Sequence, residues 1–165
     1  MNITRTFVHL LTPPWRLRAT LPAGALHRIE QAIRANESSH RGEIRFAVEA
    51  ALDLHELLHG MTPRARALQV FADLHVWDTE ENNGVLIYLL LADRDFEIVA
   101  DRGIHKHVGD RTWEEIARHM ERHFRDGNIE RGVLEGIEAV GARLRAHYPR
   151  RGPDVNELPD RPAVI

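Results

Sequence analysis

The chain has 165 residues, a formal net charge of −3 at pH 7 and no cysteine. This length fits one domain, and 43% apolar with 28% charged residues is ordinary for a soluble protein with a sizeable core. The absence of cysteine excludes a disulfide scaffold, a thiolate zinc site and a cysteine nucleophile. The slightly acidic balance argues against a nucleic-acid partner, because proteins that bind nucleic acids usually carry a basic patch.

Residues 1–21 are predicted to form an arm in front of the domain. Its apolar stretch is too short for the central region of a signal peptide, and the longest apolar run, Val85–Ala92, is too short to span a bilayer. We therefore expect a cytoplasmic protein. Within residues 3–18, one helical face is apolar and has arginines beside it, which allows packing on the domain or a partner, or a peripheral position at the inner membrane. The apolar residues of this face are Ile3, Phe7, Leu10 and Leu11.

The first half of the domain, which is predicted over residues 22–148, contains two helices and a strand. Apolar residues at helical spacing predict a helix from Pro22 to about Asn36. Residues 43–49 alternate polar and apolar, which is typical of a half-buried strand. Thr62 as N-cap and Pro63 as the first helical residue predict the start of the next helix.

The second half is predicted to begin with a hairpin. Residues 85–92 are apolar on both faces and predict a central strand, and a turn at 93–95 leads to an antiparallel strand over 96–101. A capping box of Thr112 and Glu115 predicts another helix, and residues 129–147 form the last one. This order predicts a single α/β domain, a three-layer α/β/α sandwich with a central mixed sheet. Residues 149–165 contain four prolines and are predicted to be a disordered tail.

The segment His55–His59 matches the zinc metalloprotease pattern, in which two histidines four residues apart bind zinc and a glutamate acts as the base. Gly60 and Pro63 end any helix at this point, and no third ligand follows at the expected spacing. A zinc protease is therefore not expected.

Two further motifs have simpler explanations. Asp93 and Asp95 follow an apolar strand, as the aspartate pair of haloacid-dehalogenase phosphatases does, but a hairpin turn accounts for both residues. His119 and His123 stand one helical turn apart, a spacing that can bind a metal, and we interpret them as part of a solvated charged face.

The loop over residues 78–84 carries six oxygen-bearing side chains in a row. Calcium prefers carboxylate and amide oxygens, so the loop is a candidate cation site. It is not an EF-hand, because its glycine arrives one place late and Leu89 occupies the twelfth position. A polar turn around Asn83-Gly84 explains the same residues equally well.

Three segments, at residues 41–49, 76–88 and 98–104, are followed by a last helix that contains Gly132 and Gly136. Taken together, over about residues 22–148, they resemble the TPM domain family, which is named partly after a thylakoid-lumen acid-phosphatase-like protein. It implies an α/β/α sandwich, often working at a membrane, with calcium bound near the loop end of the sheet in some members and phosphatase activity in plastid members. The chain resembles the short bacterial form without a signal peptide or transmembrane tail.

Two functions follow as expectations. In the first, a largely non-enzymatic module binds calcium or another divalent cation and docks on a membrane-associated protein partner. Its expected ligands are Asp78, Glu80, Asn82, Asn83 and Asp101. In the second, the same cation assists a phosphomonoesterase whose arginines hold the phosphate oxygens. The candidate arginines are Arg45, Arg94 and Arg102.

Overall fold

The structure is a computed structural model that describes residues 3–153 and 155–165; residues 1–2 of the predicted arm and residue 154 of the predicted tail lie outside the described residues. The described elements, in chain order, are α1 (Ile3–Leu10), α2 (Pro14–Thr20), α3 (Ala23–Glu37), β1 (Glu43–Glu49), α4 (Leu54–Leu58), α5 (Pro63–Asp73), β2 (Gly84–Leu90), β3 (Asp95–Ala100), α6 (Arg102–Val108), α7 (Asp110–Arg125), α8 (Ile129–His147) and β4 (Ala163–Val164).

The four described strands form one sheet in the order β3-β2-β1-β4. Strand β1 pairs in parallel with β2 and β4, whereas β2 and β3 are antiparallel, so the predicted mixed sheet is confirmed. Glu43 lies opposite Gly84, and Val85 lies opposite Ala100. The amino ends of β1 and β2 therefore share one sheet edge with the carboxyl end of β3, and the loop before β2 lies at this edge.

Helices cover both faces of the sheet, which confirms the predicted three-layer sandwich. Alternate residues of β1 point to opposite faces, as strand geometry requires. Phe46 belongs to the larger apolar cluster with α3, α7 and α8, whereas Ala47 belongs to a smaller one with α4 and α5. None of the described helices is both long and apolar enough to cross a membrane.

Strand β1 is buried along its whole length, whereas its alternating sequence predicts a half-buried strand. The difference arises because its polar side chains are covered by other parts of the chain. Glu49 forms an ion pair with Arg66 of α5, at 2.9 Å between Nε and Oε2. Glu43 accepts hydrogen bonds from the backbone N–H groups of Glu157 and Leu158.

The tail also differs from the predicted disorder. Leu158 and Asp160 are buried, and Ala163–Val164 forms β4 beside β1. Prolines exclude a helix here, but they permit an extended segment whose backbone groups bond to side chains of β1.

Helix α7 begins earlier than predicted. It starts at Asp110, with Gly109 as N-cap at φ +78°, because the short helix α6 leads almost directly into it. Thr112 is therefore inside the helix, and its hydroxyl donates to the carbonyl oxygen of Val108 at 3.3 Å. By contrast, Thr62 caps α5 as predicted, since its side chain accepts from the N–H of Ala65.

The N-terminal arm consists of α1 and α2. It is held to the domain by buried His9, whose Nδ1 accepts from the N–H of Leu52 at 3.0 Å and whose Nε2 lies 3.0 Å from Asp93 Oδ1. Arg5 adds an ion pair with the same Asp93 at 2.7 Å. The apolar side chains of α1 remain exposed to solvent.

Candidate cation site

The loop before β2 meets the start of α6 at the sheet edge described above. Asp101 is the N-cap of α6, and its backbone N–H donates to the carbonyl oxygen of Gly84 at 2.9 Å. One turn later, the N–H of Ile104 donates to the carbonyl oxygen of Asn82 at 3.2 Å. The strand pairing and these two bonds bring residues 82–84 against residues 101–104, although the two segments are far apart in the sequence.

Gly103 allows this close approach. A Cβ atom at this position would lie 2.3 Å from the carbonyl oxygen of Asn82 and 2.6 Å from that of Glu81. These distances are too short for any side chain, and backbone oxygens cannot move aside as the end of a flexible side chain can. Asn82 itself adopts a positive φ of 54°, which asparagine tolerates better than most residues.

Two buried oxygen atoms at this junction have no hydrogen-bond partner among the described residues, Asn83 Oδ1 and Asp101 Oδ2. Asn83 is fully buried, and its side-chain Nδ2 donates to the carbonyl oxygen of Arg41 at 2.8 Å. Asp101 is nine-tenths buried, and its Oδ1 accepts from the N–H of Arg102 at 2.7 Å. Each side chain is thus held by one atom and keeps one oxygen without a partner. This donor set, one amide and one carboxylate oxygen, fits a hard divalent cation.

The side chains of two arginines bond to residues of the loop before β2. Arg41 forms an ion pair with Glu81, and Arg102 Nε donates to Asn82 Oδ1 at 3.0 Å. The pKa of Tyr148 is raised, first by burial and then by the carboxylates of Glu81 and Asp101, while Arg41 lowers it. Arg41 and Tyr148 were not among the predicted site residues, because they lie on separate elements and share no short motif. Glu81 lies in the predicted loop but was not among its five expected ligands.

The other predicted cation ligands lie outside this junction. Asp78 and Glu80 are exposed. The backbone N–H of Glu80 donates to Glu157 Oε2 at 2.9 Å, which ties this part of the loop to the tail. Of the five predicted ligands, Asn82, Asn83 and Asp101 lie in the two segments that meet at this junction, and Asn82 is engaged by Arg102.

The three arginines predicted to bind an anion do not share a site. Arg45 lies under the tail, where NH1 donates to the carbonyl oxygens of Pro159 and Arg161. Arg94 is exposed in the β2–β3 turn, at the opposite end of a seven-residue strand and therefore about 20 Å from the cation site. Arg102 alone lies at the junction.

The protease-like segment has a local structural role. Glu56 forms a capping box with Asp53 at the start of α4, since each side chain accepts the other's backbone N–H. Glu56 is also within 3.2 Å of Arg66. Helix α4 spans five residues and ends before His59, whose Nδ1 bonds to the carbonyl oxygen of His55 at 2.8 Å.

Two solved structures of bacterial proteins are similar to this chain. The BA42 protein from the psychrophilic bacterium Bizionia argentinensis, solved by NMR, is 33% identical with a TM-score of 0.73, over 88% of this chain and 95% of that one. The N-terminal domain of a protein from P. gingivalis, also solved by NMR, is 23% identical with a TM-score of 0.61, over 86% of this chain and 95% of that one, and it supports the fold alone. A comparison with curated proteins found no match.

The sequence pattern of the TPM domain matches residues 18–143, which is most of the chain. These residues include the whole sheet apart from β4, the loop before β2 and the helices on both faces. The chain therefore belongs to the TPM domain family, as its sequence resemblance predicts.

Proposed function

We propose that this chain is a largely non-enzymatic module that binds a divalent cation, with calcium as the expected ion, through Asn83 and Asp101. The observation that supports this proposal is that Asn83 Oδ1 and Asp101 Oδ2 are buried without a partner, on residues that adjoin Gly84 in the chain and by a backbone hydrogen bond. A buried acceptor without a partner costs about 1–3 kcal/mol of stability. A bound cation would remove that cost at both atoms, and amide and carboxylate oxygens are ligands that calcium prefers.

The surrounding residues would prepare the site for the ion. Asn83 Nδ2 is fixed by the carbonyl oxygen of Arg41, so the amide oxygen is the atom left for a cation. By contrast, Arg41 and Arg102 already engage Glu81 and the side chain of Asn82, so either group would become a further ligand only when its arginine moves away.

A calcium titration of metal-stripped protein, followed by amide chemical shifts, tests this proposal. We expect saturable shifts centred on residues 81–84 and 101–105, and we expect Asp101→Asn to remove them. Asp78→Asn is the matched control, because Asp78 is an exposed acidic residue near the junction, and it should bind calcium as the wild type does. An absence of shifts at millimolar calcium would overturn the proposal, as would a loss of binding in Asp78→Asn.

We propose in addition that the N-terminal arm docks the domain on an anionic membrane surface. The arm exposes large apolar side chains while basic residues stand beside them, a combination that binds the interface of anionic bilayers. The exposed apolar residues are Ile3, Phe7, Leu10, Leu11 (70% exposed) and Trp15 (65% exposed). The neighbouring Arg16 and Arg18 are also exposed.

Deletion of the arm is a poor test, because it would remove His9 and leave Asp93 without its partners. A better one is co-sedimentation with vesicles of anionic or zwitterionic lipid, comparing the wild type with the double variant Phe7→Ser, Trp15→Ser. We expect the wild type to pellet with anionic vesicles and the double variant to stay in solution. Leu68→Ser, which changes an exposed leucine of α5, should behave as the wild type. No binding to either vesicle would overturn the lipid proposal and direct the search to a membrane-associated protein partner.

Metal-assisted phosphomonoester hydrolysis is the second candidate function. The observation that favours it is the position of Arg102 beside the candidate cation ligands, where a guanidinium could reach phosphate oxygens held near the ion. A bound cation would polarise the phosphate group of the ester. A chromogenic phosphate ester should then be hydrolysed only with the cation present, and neither Asp101→Asn nor Arg102→Ala should be active. Turnover that survives Asp101→Asn would contradict this function.

A further inference from the structure

Two histidines of α7 and one glutamate of α8 converge at the crossing of these helices. His119 Nε2 lies 2.7 Å from Glu135 Oε2, and His123 Nε2 lies 2.9 Å from the same oxygen. The three atoms all lie within 4.8 Å of one another. Within residues 3–153 and 155–165, this is the one group of three such side chains whose ligand atoms come so close together.

Two glycines of α8 produce this close crossing. A Cβ atom at Gly132 would lie 2.8 Å from the Cβ of His123, and one at Gly136 would lie 2.4 Å from Met120 Sδ. Because α8 has no side chains at these positions, its backbone packs directly on α7. Glu135, between the two glycines in sequence, is thereby brought within reach of both histidines.

The carboxylate is oriented with one oxygen held. Arg131 Nε donates to Glu135 Oε1 at 2.8 Å, which leaves Oε2 for the histidines. The pKa of Glu135 is lowered to about 2 by its hydrogen bond to Arg131 and by those to the two histidines, so the group is ionised at neutral pH. All three side chains remain open to solvent, with exposures of 44%, 17% and 36% for His119, His123 and Glu135.

We propose that His119, His123 and Glu135 form a binding site for zinc or a similar first-row transition metal ion. Two imidazole nitrogens and a carboxylate oxygen are a ligand set that zinc accepts, with a fourth position left open. Tetrahedral zinc with bonds of 2.0–2.1 Å needs ligand atoms roughly 3.4 Å apart, so the present contacts would open by about half an ångström. Small side-chain rotations of three partly exposed residues supply that change.

Metal binding requires a change of histidine tautomer at this site. In the structure, Arg122 NH2 donates to His119 Nδ1, 3.0 Å away, so the ring proton of neutral His119 lies on Nε2 and faces Glu135. A metal on Nε2 needs the proton on Nδ1 instead, and exposed Arg122 must then release its contact. This site is distinct from the proposed calcium site in its ligands, since imidazole nitrogen favours zinc and copper while calcium favours oxygen.

Zinc titration of the full chain by calorimetry, repeated in millimolar calcium, tests the proposal. We expect one zinc per chain in both conditions, and an affinity at least about tenfold lower in Glu135→Gln, because even the loss of a residue that only supports a ligand costs that much. Glu135→Gln keeps the size of the side chain, and its thermal melt without metal shows whether α7 and α8 still pack. The double variant His119→Ala, His123→Ala should bind no zinc.

The double variant His55→Ala, His59→Ala is the matched control, because it removes the other pair of histidines four residues apart. It should bind zinc as the wild type does. Long-range proton–nitrogen spectra of the imidazoles give an independent readout, in which zinc should shift the nitrogens of His119 and His123 and move their protons to Nδ1. The proposal is overturned if zinc is bound equally well by Glu135→Gln, or if the His55→Ala, His59→Ala variant is the one that loses it.

Discussion

Arg45, the third residue of β1, donates a hydrogen bond to the carbonyl oxygen of Arg161, 116 residues away. The same guanidinium nitrogen donates to the carbonyl oxygen of Pro159. On the same face of β1, Glu43 accepts from the N–H groups of Glu157 and Leu158. One cation and one anion of a single strand thus bond to carbonyl and N–H groups of the tail, and β4 pairs with β1 directly after them.

We expect Arg45→Leu to release the tail. The substitution leaves the carbonyl oxygens of Pro159 and Arg161 without their donor, and hydrogen bonds to a charged group contribute about 1.5–3 kcal/mol each at most. Denaturant titration should show that the free energy of unfolding falls by about 1.5–3 kcal/mol. Amide exchange should accelerate at residues 157–158 and at Ile165. Arg34→Ala is the control, since Arg34 also bonds to the tail, at Asp160, but is 67% exposed, so its substitution should destabilise the protein much less than Arg45→Leu does. Equal exchange of the tail in wild type and Arg45→Leu would contradict this role.

We expect Gly103→Ala to disturb the candidate cation site. Its new methyl group would meet the carbonyl oxygens of Asn82 and Glu81, so the loop before β2 must move away from α6. A lower melting temperature should result, together with weaker calcium binding in the amide-shift titration. Gly24→Ala provides the comparison, because its Cβ would meet nothing closer than the flexible end of Arg28 at 3.4 Å. An unchanged calcium affinity in Gly103→Ala would show that ion binding does not depend on this junction.

We expect Gly132→Ala to separate α7 from α8. Its Cβ would lie 2.8 Å from the Cβ of His123 and 3.1 Å from the carbonyl oxygen of Met120, neither of which can move without the helix. Overpacking of this kind lowers the free energy of unfolding by about 1–3 kcal/mol. Denaturant titration measures this loss. Gly24→Ala should instead be neutral or stabilising by up to about 1 kcal/mol, because alanine is the better helix former. Zinc affinity should fall in Gly132→Ala and stay unchanged in Gly24→Ala. A Gly132→Ala variant that binds zinc as tightly as the wild type would count against the proposed metal site.

Asp95 is expected to make stability depend on pH. Its pKa is raised from 3.8 to about 7, first by burial and then by the nearby carboxylates of Glu97, Glu121 and Asp93. Between about pH 4 and 7 the folded state therefore binds more protons than the unfolded chain, so the free energy of unfolding falls as pH rises. Above pH 7 the destabilisation by ionised Asp95 has reached its full size.

The test is Asp95→Asn, which cannot ionise. At pH 8 this variant should be more stable than the wild type by about 1–2 kcal/mol, allowing for the contact of Asp95 with solvent, and near pH 3 the difference should vanish. Asp110→Asn is the control, because the Asp110 side chain is 78% exposed and its substitution should change stability by less than about 0.5 kcal/mol at either pH. A constant difference between Asp95→Asn and wild type from pH 3 to pH 8 would contradict the prediction.

Local sequence patterns were sufficient to predict most helices and strands of the sandwich. Apolar periodicity located α3, β2 and α8, and the turn-forming aspartates located the β2–β3 hairpin, because each of these elements buries a continuous face. Helix α6 and strand β4 carry no such pattern. The first has seven residues and the second has two, and each is stabilised mainly by the segments it packs against.

The sequence by itself determined the family and the three-layer sandwich, because these depend on residue type and on spacing within each segment. The assignment of Asn83 and Asp101 as cation ligands stays a prediction. Only the tertiary structure decided which polar residues meet. It assigned Arg45 to the tail, excluded Asp78 from the junction and placed Glu135 between His119 and His123. These contacts depend on strand register and on helix crossings that glycines permit, and both relate residues too distant in the chain for any local pattern to connect.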